Sequence, residues 1–363
     1  MFSIEKSNII SELQSLSNVA DKKQTLPVLS NVLIRCNSEN VQLKSTDLEV
    51  ELEVTLTSPT ITKPAEITIP AKKISDIVKE LPEGPLSFEL NDDATKMVVK
   101  SSSGKYNLST IPAADFPDFD IEASENFYEV ESEDLLSLIG KTSFAMANQD
   151  WRHYLNGCYI EKSLNALKMV ATDAHRLAIY QLVMEGEGEF RGIIPRKTVI
   201  EIMRILPKNE RIKFYLNTSN IVFMSKNFTF KSKLIDGNYP NYNQVVPSGD
   251  GIEIRANRKD LLDSLSRVSV LSNDKFKGVK LTANSNYLDV TAHNPEQESA
   301  EEKLELKSSV SGFDVAFNVN YLREILSTIE DEDISIVSYG PDKSAAVLSS
   351  DQNQTLVLMP LLL

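Results

Sequence analysis

The sequence predicts an α+β protein built from three similar tandem units. Segments with helical periodicity recur at offsets of about 125 residues, which gives each unit two helices. Between the helices lie short stretches in which apolar and polar residues alternate, as is typical of strands. A chain of 363 residues is also too long for one ordinary core and suits two or three domains.

The first helix of each unit is predicted from apolar residues that share one helical face. Ile9, Leu13 and Leu16 have this spacing in the first unit. The pattern returns at steps of 126 residues, in Leu135, Ile139, Leu261 and Leu265. The second helix of each unit is predicted in 69–82, 194–207 and 317–329. The first two of these segments both begin with Ile-Pro and end with Leu-Pro.

The strands of each unit are predicted from a shared outline. Segments 31–47, 157–173 and 278–294 each contain a strand, a polar Asn/Ser turn and a second strand that ends in Thr and a polar residue. The polar linkers "DIEASENFYE" and "VVPSGDGIE" separate the units. We therefore predict three domains, at 1–124, 125–248 and 249–363.

Composition limits the class of protein. The net charge of −14 argues, taken alone, against binding to nucleic acid, although a chain can be acidic on one surface and basic on another. Two cysteines, Cys36 and Cys158, are too few for a disulfide framework or a four-ligand zinc site, and we expect both to be reduced and packed in strands. The N-terminus does not resemble a signal peptide and no apolar run reaches membrane-spanning length, so with its reduced cysteines the chain is expected to be cytoplasmic. No metal or cofactor is expected, because the histidines are scattered and no H-E-x-x-H or G-x-G-x-x-G motif is present.

The stretch "VATDAHRLA" (170–178) resembles part of a catalytic site, because Asp173 and His175 project from one face of a strand. Nucleophilic catalysis would also need an activated nucleophile and an oxyanion hole, and the sequence has no G-x-S-x-G motif or phosphate-binding loop. Thr172-Asp173 aligns with Thr46-Asp47 in the first unit, where no histidine follows. We therefore expect Asp173 to hydrogen-bond the local backbone, with His175 as a structural or groove-rim residue.

Ordered motifs along the whole chain resemble the bacterial DNA polymerase III beta subunit family of sliding clamps. They include "QTLPVLSNVLI" (24–34), "STDLEVEL" (45–52), "ATDAHRLA" (171–178), "IPRKTVIEIMR" (194–204), "VLSNDKFKGVKL" (270–281) and "VLMPLLL" (357–363). The resemblance implies three DNA-clamp-type domains per chain. Two chains are then expected to form a closed pseudo-six-fold ring, with inner helices and outer sheets, that encircles duplex DNA. The implied function is a non-catalytic DNA polymerase processivity factor.

The same resemblance implies three sets of contact residues. The candidates for DNA contact are Lys23, Lys72, Gln149, Arg152, Tyr154, Arg196, Lys197, Arg204, Lys275, Lys277 and Lys280. A homodimer interface is implied for Lys73, Lys96, Lys105, Tyr106, Leu108, Val270, Leu271, Glu298, Glu301 and Glu302.

The third set is a hydrophobic groove between the second and third domains. It is expected to bind short, glutamine-leading, Leu/Phe-rich peptides of the replicative polymerase, the clamp loader, other polymerases and repair proteins. Its implied residues are Leu155, Thr172, His175, Arg176, Leu177, Pro240, Val245, Asn318, Tyr321, Val357, Met359, Pro360 and Leu361. We expect Leu177 to form the pocket floor, and His175 and Arg176 its polar rim.

Two positions depart from the family pattern. Gln244 and Leu362 stand where relatives often carry Arg, so the groove rim is expected to be less basic. Two alternatives stay open from the sequence: a hydrolase based on Asp173 and His175, and a repeat-built scaffold that never contacts DNA.

Overall fold

The computed structural model describes residues 1–20, 26–121, 124, 126–340, 343–348 and 350–361. Within these residues the chain forms two compact units. Unit 1 comprises Met1–Leu135 and Lys197–Leu234, and unit 2 comprises Leu136–Arg196 and Ile235–Leu363.

Helices form in all six segments where the periodicity predicts them. They are α1 (Ile10–Val19), α2 (Ala71–Glu80), α3 (Ser132–Gly140), α4 (Arg196–Ile205), α5 (Arg258–Val268) and α6 (Val319–Ser327). The two Ile-Pro pairs belong to the preceding strands, so α2 and α4 begin one residue after Pro70 and Pro195. Both helices end shortly before a Leu-Pro pair, because a residue that precedes proline disfavours helical backbone angles.

Unit 1 contains two sheets whose strands pair in antiparallel fashion. Sheet A has the order β5 (Thr60–Ile61), β1 (Phe2–Glu5), β7 (Pro85–Leu90), β8 (Lys96–Lys100) and β9 (Lys105–Ser109). Sheet B has the order β10 (Tyr128–Glu131), β15 (Arg211–Leu216), β16 (Asn220–Met224), β17 (Phe228–Lys233), β4 (Val50–Thr55), β3 (Val41–Thr46), β2 (Asn31–Cys36) and β6 (Ala65–Pro70).

Unit 2 repeats this arrangement. Sheet C has the order β14 (Phe190–Pro195), β11 (Gly157–Ser163), β12 (Ala166–Thr172), β13 (Arg176–Val183), β25 (Gln354–Leu358), β24 (Ala345–Leu348), β23 (Asp333–Ser338) and β18 (Ile252–Asn257). Sheet D has the order β21 (Ser299–Glu305), β20 (Tyr287–His293), β19 (Gly278–Ala283) and β22 (Phe313–Asn318). The three predicted hairpins are present as β2–β3, β11–β12 and β19–β20.

Sheets B and C each continue from one sequence repeat into the next. In sheet B, β17 of the second repeat pairs with β4 of the first, and in sheet C, β13 pairs with β25 of the third repeat. This continuity explains why the compact units divide the second repeat instead of following the predicted boundaries at 124 and 248. The three-domain division itself stays a prediction from the repeat.

Four equivalent positions in sheets B and C carry opposite chemistry. In sheet B they hold a charged network, in which Lys231 lies 2.9 Å and Lys44 3.5 Å from the fully buried Glu51, and Lys44 lies 3.1 Å from Glu53. In sheet C the equivalent residues are Val170, Leu177, Ile179 and Val357, which belong to one apolar cluster. The strand registers match, since Lys231 pairs with Glu51 as Val357 pairs with Leu177.

Candidate functional site

Unit 2 contains a cavity of about 260 Å³ beside the β12–β13 turn and the end of β25. Eight of the thirteen predicted groove residues line it, namely Leu155, Thr172, Arg176, Leu177, Pro240, Val245, Val357 and Met359. Six further residues complete the lining: Arg152, Tyr154, Ala174, Asn241, Tyr242 and Ser344. The structure therefore brings together most of the residues that the sequence assigned to a peptide groove.

The floor of the cavity is apolar and fixed. Leu177 is only 2% exposed and packs with Val170, Ile179, Val357 and Tyr242. Burial raises the pKa of the Tyr242 hydroxyl, which donates a hydrogen bond to Glu161. The predicted role of Leu177 as pocket floor agrees with its place in this cluster, and the cavity offers apolar surface for a side chain that leaves water.

The Thr-Asp pair shapes the turn beside the cavity. The Thr172 hydroxyl donates to the Arg176 carbonyl at 2.6 Å and accepts the Ala174 N–H at 3.0 Å. Asp173 Oδ1 accepts the backbone N–H groups of His175 and Arg176 at 2.9 and 3.1 Å. These bonds confirm the expectation that Asp173 caps local backbone.

The first repeat builds the same turn. The Thr46 hydroxyl donates to the Val50 carbonyl, and Asp47 Oδ1 accepts the backbone N–H groups of Glu49 and Val50. The third residue of each turn has a positive φ, 72° at Leu48 and 73° at Ala174. The turn is therefore a property of the repeat, and its second copy does not form a catalytic pair, because both Asp173 oxygens are occupied by the backbone and by Arg176.

Arg176 was expected at the polar rim, and its side chain lines the cavity but is only 7% exposed. Its guanidinium donates to the Phe144 carbonyl at 2.7 Å and to Asp173 Oδ2 at 3.1 Å, and it forms an ion pair with Glu324 of α6. The guanidinium carbon also lies 4.4 Å from the centre of the Tyr321 ring. Arg176 is thus a buried wall of the cavity that connects the turn, the segment after α3 and α6.

The other five predicted groove residues lie outside the cavity lining. His175 is exposed and its ring stacks on Tyr321 with a centroid distance of 6.1 Å. The Asn318 side chain caps α6 by accepting the N–H groups of Asn320 and Tyr321. Pro360 and Leu361 follow the end of β25, where the Leu361 N–H donates to Ala316 of β22 at 2.7 Å. Gln244 is exposed in a short helical turn, and Leu362 lies outside the described residues.

The loop before β11 is held by Asp150. Its carboxylate accepts Arg152 Nε at 3.0 Å and Nη2 at 2.9 Å, and these bonds lower the pKa of Asp150 to about 2. Gln149 is exposed at the start of this loop with φ of 58°. Arg152 and Tyr154, which were predicted to contact DNA, line the cavity, so the structure places them with the groove residues.

The remaining DNA candidates differ in whether their positive charge is already paired with an acidic side chain. Lys72 is exposed on α2, and Lys23 lies outside the described residues. Lys197 forms an ion pair with Asp47 at 2.5 Å, and Arg204 with Glu201 at 2.6 Å.

Lys275, Lys277 and Lys280 belong to the third repeat and lie outside its helices. Arg196 is the first residue of α4. Lys275 and Lys277 lie in the loop before β19, where Lys277 pairs with Asp274. Lys280 lies in β19 and pairs with Asp314 at 3.0 Å. Arg196 donates to the Met146 carbonyl at 3.4 Å.

The predicted dimer residues lie at free sheet edges and on two helices. Among the described residues, β9 and β21 each pair with a strand on one side only. Lys96, Lys105, Glu298 and Glu301 are exposed at or near these edges, Lys73 is exposed on α2, and Tyr106 is partly exposed. Val270 is 78% exposed and Leu271 partly so.

Two predicted dimer residues are already engaged within the chain. Leu108 is only 6% exposed, because it belongs to the core of unit 1. Glu302 forms two hydrogen bonds with Arg267 of α5, at 2.5 and 2.6 Å. Their place in the dimer interface stays a prediction.

Some site residues were missed by the sequence reasoning. Tyr242 lies in "GNYPNYN", a repeat motif whose aromatic residues could have identified it. Asn241 lies in the same motif but is not one of its aromatic residues, and Ser344 carries no comparable signal. In the part of the chain that the structure describes, no group of three His, Cys, Asp or Glu side chains could hold a metal ion. No described helix is long and apolar enough to span a membrane.

Comparisons with known proteins agree with this geometry. Three domains of the DNA polymerase III beta subunit match the chain: the N-terminal domain at residues 1–120, the central domain at 129–241 and the C-terminal domain at 243–362. The chain is 38% identical to the beta sliding clamp of Pseudomonas putida over 366 residues and 35% identical to that of Escherichia coli over 365 residues, with 99% of each chain covered.

The fold is also that of solved clamps. A Pseudomonas aeruginosa DnaN sliding clamp bound to griselimycin superposes with a TM-score of 0.95 at 36% identity, covering 100% of this chain and 99% of that one. A Bacillus subtilis DNA polymerase sliding clamp superposes with a TM-score of 0.92 at 23% identity, which supports the fold alone.

Proposed function

The chain belongs to the DNA polymerase III beta subunit family, and from this premise we propose that the unit 2 cavity holds the peptides through which partner proteins are tethered. The protein is a non-catalytic processivity factor. It dimerises, encircles DNA and binds polymerase partners, as the beta sliding clamps to which it is similar do. The observation that carries the peptide site is the cavity itself, which gathers eight of thirteen groove residues around an apolar floor.

The chemistry of the cavity suits a short peptide with apolar anchors. Leu177 and Val357 supply a rigid apolar floor, whereas Met359 and Val245 are 48% and 53% exposed at the wall. Methionine adapts its shape to different side chains, so one groove can accept several partners. The polar groups at the wall then fix the orientation of the peptide.

Ring closure is proposed to join β9 of one chain to β21 of a second chain. Both strands have a free edge, and the exposed Lys96 and Lys105 complement the exposed Glu298 and Glu301 in charge. A two-fold axis makes two identical contacts of this kind, which closes a ring of two chains. Replacing the 78% exposed Val270 by Asp is expected to shift the dimer towards monomer in light scattering, whereas Leu164→Ala leaves it unchanged.

DNA is proposed to lie against the helices that carry Lys72, Arg196, Lys197 and Arg204. Such contacts neutralise phosphates without reading bases, so they suit sliding and weaken with salt. The acidic remainder of the chain, whose net charge is −14, disfavours DNA binding elsewhere. We also assign the protein to the cytoplasm, where its DNA and its polymerase are found.

The decisive experiment compares retention on nicked circular and linear DNA after loading by a clamp loader. A topologically held ring stays on the circle and leaves once the circle is cut. Equal loss from both would contradict encirclement. The variant Leu177→Ala tests the cavity: it is expected to lose both loader-dependent placement on circles and processive synthesis, because the loader and the polymerase are proposed to use the same cavity floor.

A further inference from the structure

Trp151 is the only tryptophan of the chain, and it is 82% exposed. Tryptophan is highly buried on average, and at interfaces it is among the residues that most often contribute large binding energies. Within the described residues of unit 2, no contact buries the Trp151 ring. The feature therefore points to a contact with another molecule.

The loop that carries Trp151 is held firmly. The Asn156 side chain bonds both the N–H and the carbonyl of Asp150, at 2.9 and 2.8 Å. The Leu155 N–H donates to the Arg152 carbonyl at 2.9 Å, and the Ala147 N–H donates to the Leu155 carbonyl at 3.0 Å. A partner that contacts the indole does not have to order the loop first, which lowers the cost of binding.

The indole lies next to the cavity lining. The Arg152 guanidinium carbon lies 5.9 Å from the centre of the Trp151 ring, and Arg152, Tyr154 and Leu155 all line the cavity. A peptide chain that leaves the cavity past Arg152 meets the exposed ring within a few residues.

The charges beside the ring favour a protein over a nucleic acid. Stacking platforms for single strands combine aromatic rings with free cations that follow the phosphates. Arg152, the cation beside Trp151, is already held by both carboxylate oxygens of Asp150. The ring thus presents mainly apolar surface next to a neutralised ion pair.

We propose that Trp151 is an additional docking position, outside the cavity, for an apolar side chain in the segment that flanks the cavity-filling residues of a partner peptide. This inference rests on the proposed peptide site, and it extends recognition beyond the cavity lining. Trp151 would also help the protein to discriminate among partners, because only peptides with an apolar side chain in the right flanking position would contact the indole.

The test uses two synthetic peptides that share a core with a leading Gln followed by Leu and Phe residues. One carries Gly-Leu-Gly at both ends and the other Gly-Ser-Gly, and calorimetry measures their affinities for the full-length dimer. The Leu-flanked peptide is expected to bind about tenfold more tightly, which corresponds to about 1.4 kcal/mol. Trp151→Ala abolishes this difference, whereas Leu164→Ala, at a residue 83% exposed outside the cavity lining, preserves it.

Fluorescence supplies a second readout, since Trp151 is the chain's one tryptophan. Its emission is expected to move to shorter wavelength with the Leu-flanked peptide and to stay unchanged with the Ser-flanked peptide. Equal affinities in the unmodified protein, or a difference that survives Trp151→Ala, would overturn the docking position while leaving the cavity site intact. Failure of both peptides to bind would overturn the cavity site as well. Quenching by a single-stranded oligonucleotide, with no effect of either peptide, would replace the proposal by a nucleic-acid contact.

Discussion

Replacing Arg176 by Met is expected to destabilise unit 2 by about 3 kcal/mol. The partly buried Phe144 carbonyl loses its 2.7 Å donor, at a cost near the lower end of the roughly 1–3 kcal/mol of a fully buried unpaired acceptor. Asp173 loses its 3.1 Å partner but keeps two backbone donors, so its loss stays below the roughly 3–5 kcal/mol of a fully broken buried pair. The Glu324 side chain is 52% exposed and adds at most about 1 kcal/mol.

Thermal unfolding followed by circular dichroism measures this loss. For a unit of this size each kcal/mol lowers the Tm by roughly 2–4 °C, so we expect a decrease of about 6–12 °C. Arg152→Met is the control, because Arg152 also pairs with an aspartate, Asp150, through two hydrogen bonds, but its side chain is 27% exposed. The control is expected to lower the Tm by no more than about 3 °C. Equal shifts for both variants would refute the argument that burial makes Arg176 structural.

Three further predictions concern other ionisable groups. Because hydrogen bonds from Arg152 hold the pKa of Asp150 near 2, the stabilisation from this pair is complete above the unfolded pKa of about 3.9 and is lost as the pH falls towards about 2. Arg152→Gln should raise the NMR titration midpoint of Asp150, and an unchanged midpoint would contradict this cause. Burial raises the pKa of the Cys158 thiol to about 12, so we expect no reaction with a thiol reagent at pH 8 until the chain is unfolded; rapid labelling of the native protein would count against it. Lys162 is 1% exposed and donates to the carbonyls of Leu164, Gly186 and Gly188, so Lys162→Met should make residues 184–189 more sensitive to a glutamate-specific protease, and an unchanged digestion pattern would contradict that role.

The helices and hairpins were predictable because their signals are local. Apolar spacing in α1 and the Ile-Pro and Leu-Pro pairs around α2 and α4 depend only on neighbouring residues. The capping role of Asp173 was predictable for the same reason, since the two N–H groups that donate to its carboxylate lie within three residues.

The sheets and the state of individual charges were not predictable in this way. The pairing of β13 with β25 joins residues about 180 positions apart, and nothing in either strand specifies the partner. The resemblance placed Arg176 at the polar rim of the groove, but only the structure shows that Phe144, Asp173 and Glu324 together satisfy its donors. Glu302 was assigned to the dimer interface by the resemblance, and the sequence does not reveal its pairing with Arg267.

The comparison of sheets B and C explains where a peptide with apolar anchors can bind. Both copies of the repeat build the same Thr-Asp turn, with Ala174 and Leu48 at nearly the same positive φ. After the turn, the second copy places Leu177 opposite Val357, whereas the first places Glu51 opposite Lys231. An apolar side chain at this place would remove water from Lys44 and Lys231, the partly exposed partners of the buried Glu51, and desolvation of these charges is costly. The backbone therefore provides two equivalent surfaces, and a few side chains make only the one in unit 2 suitable for an apolar peptide.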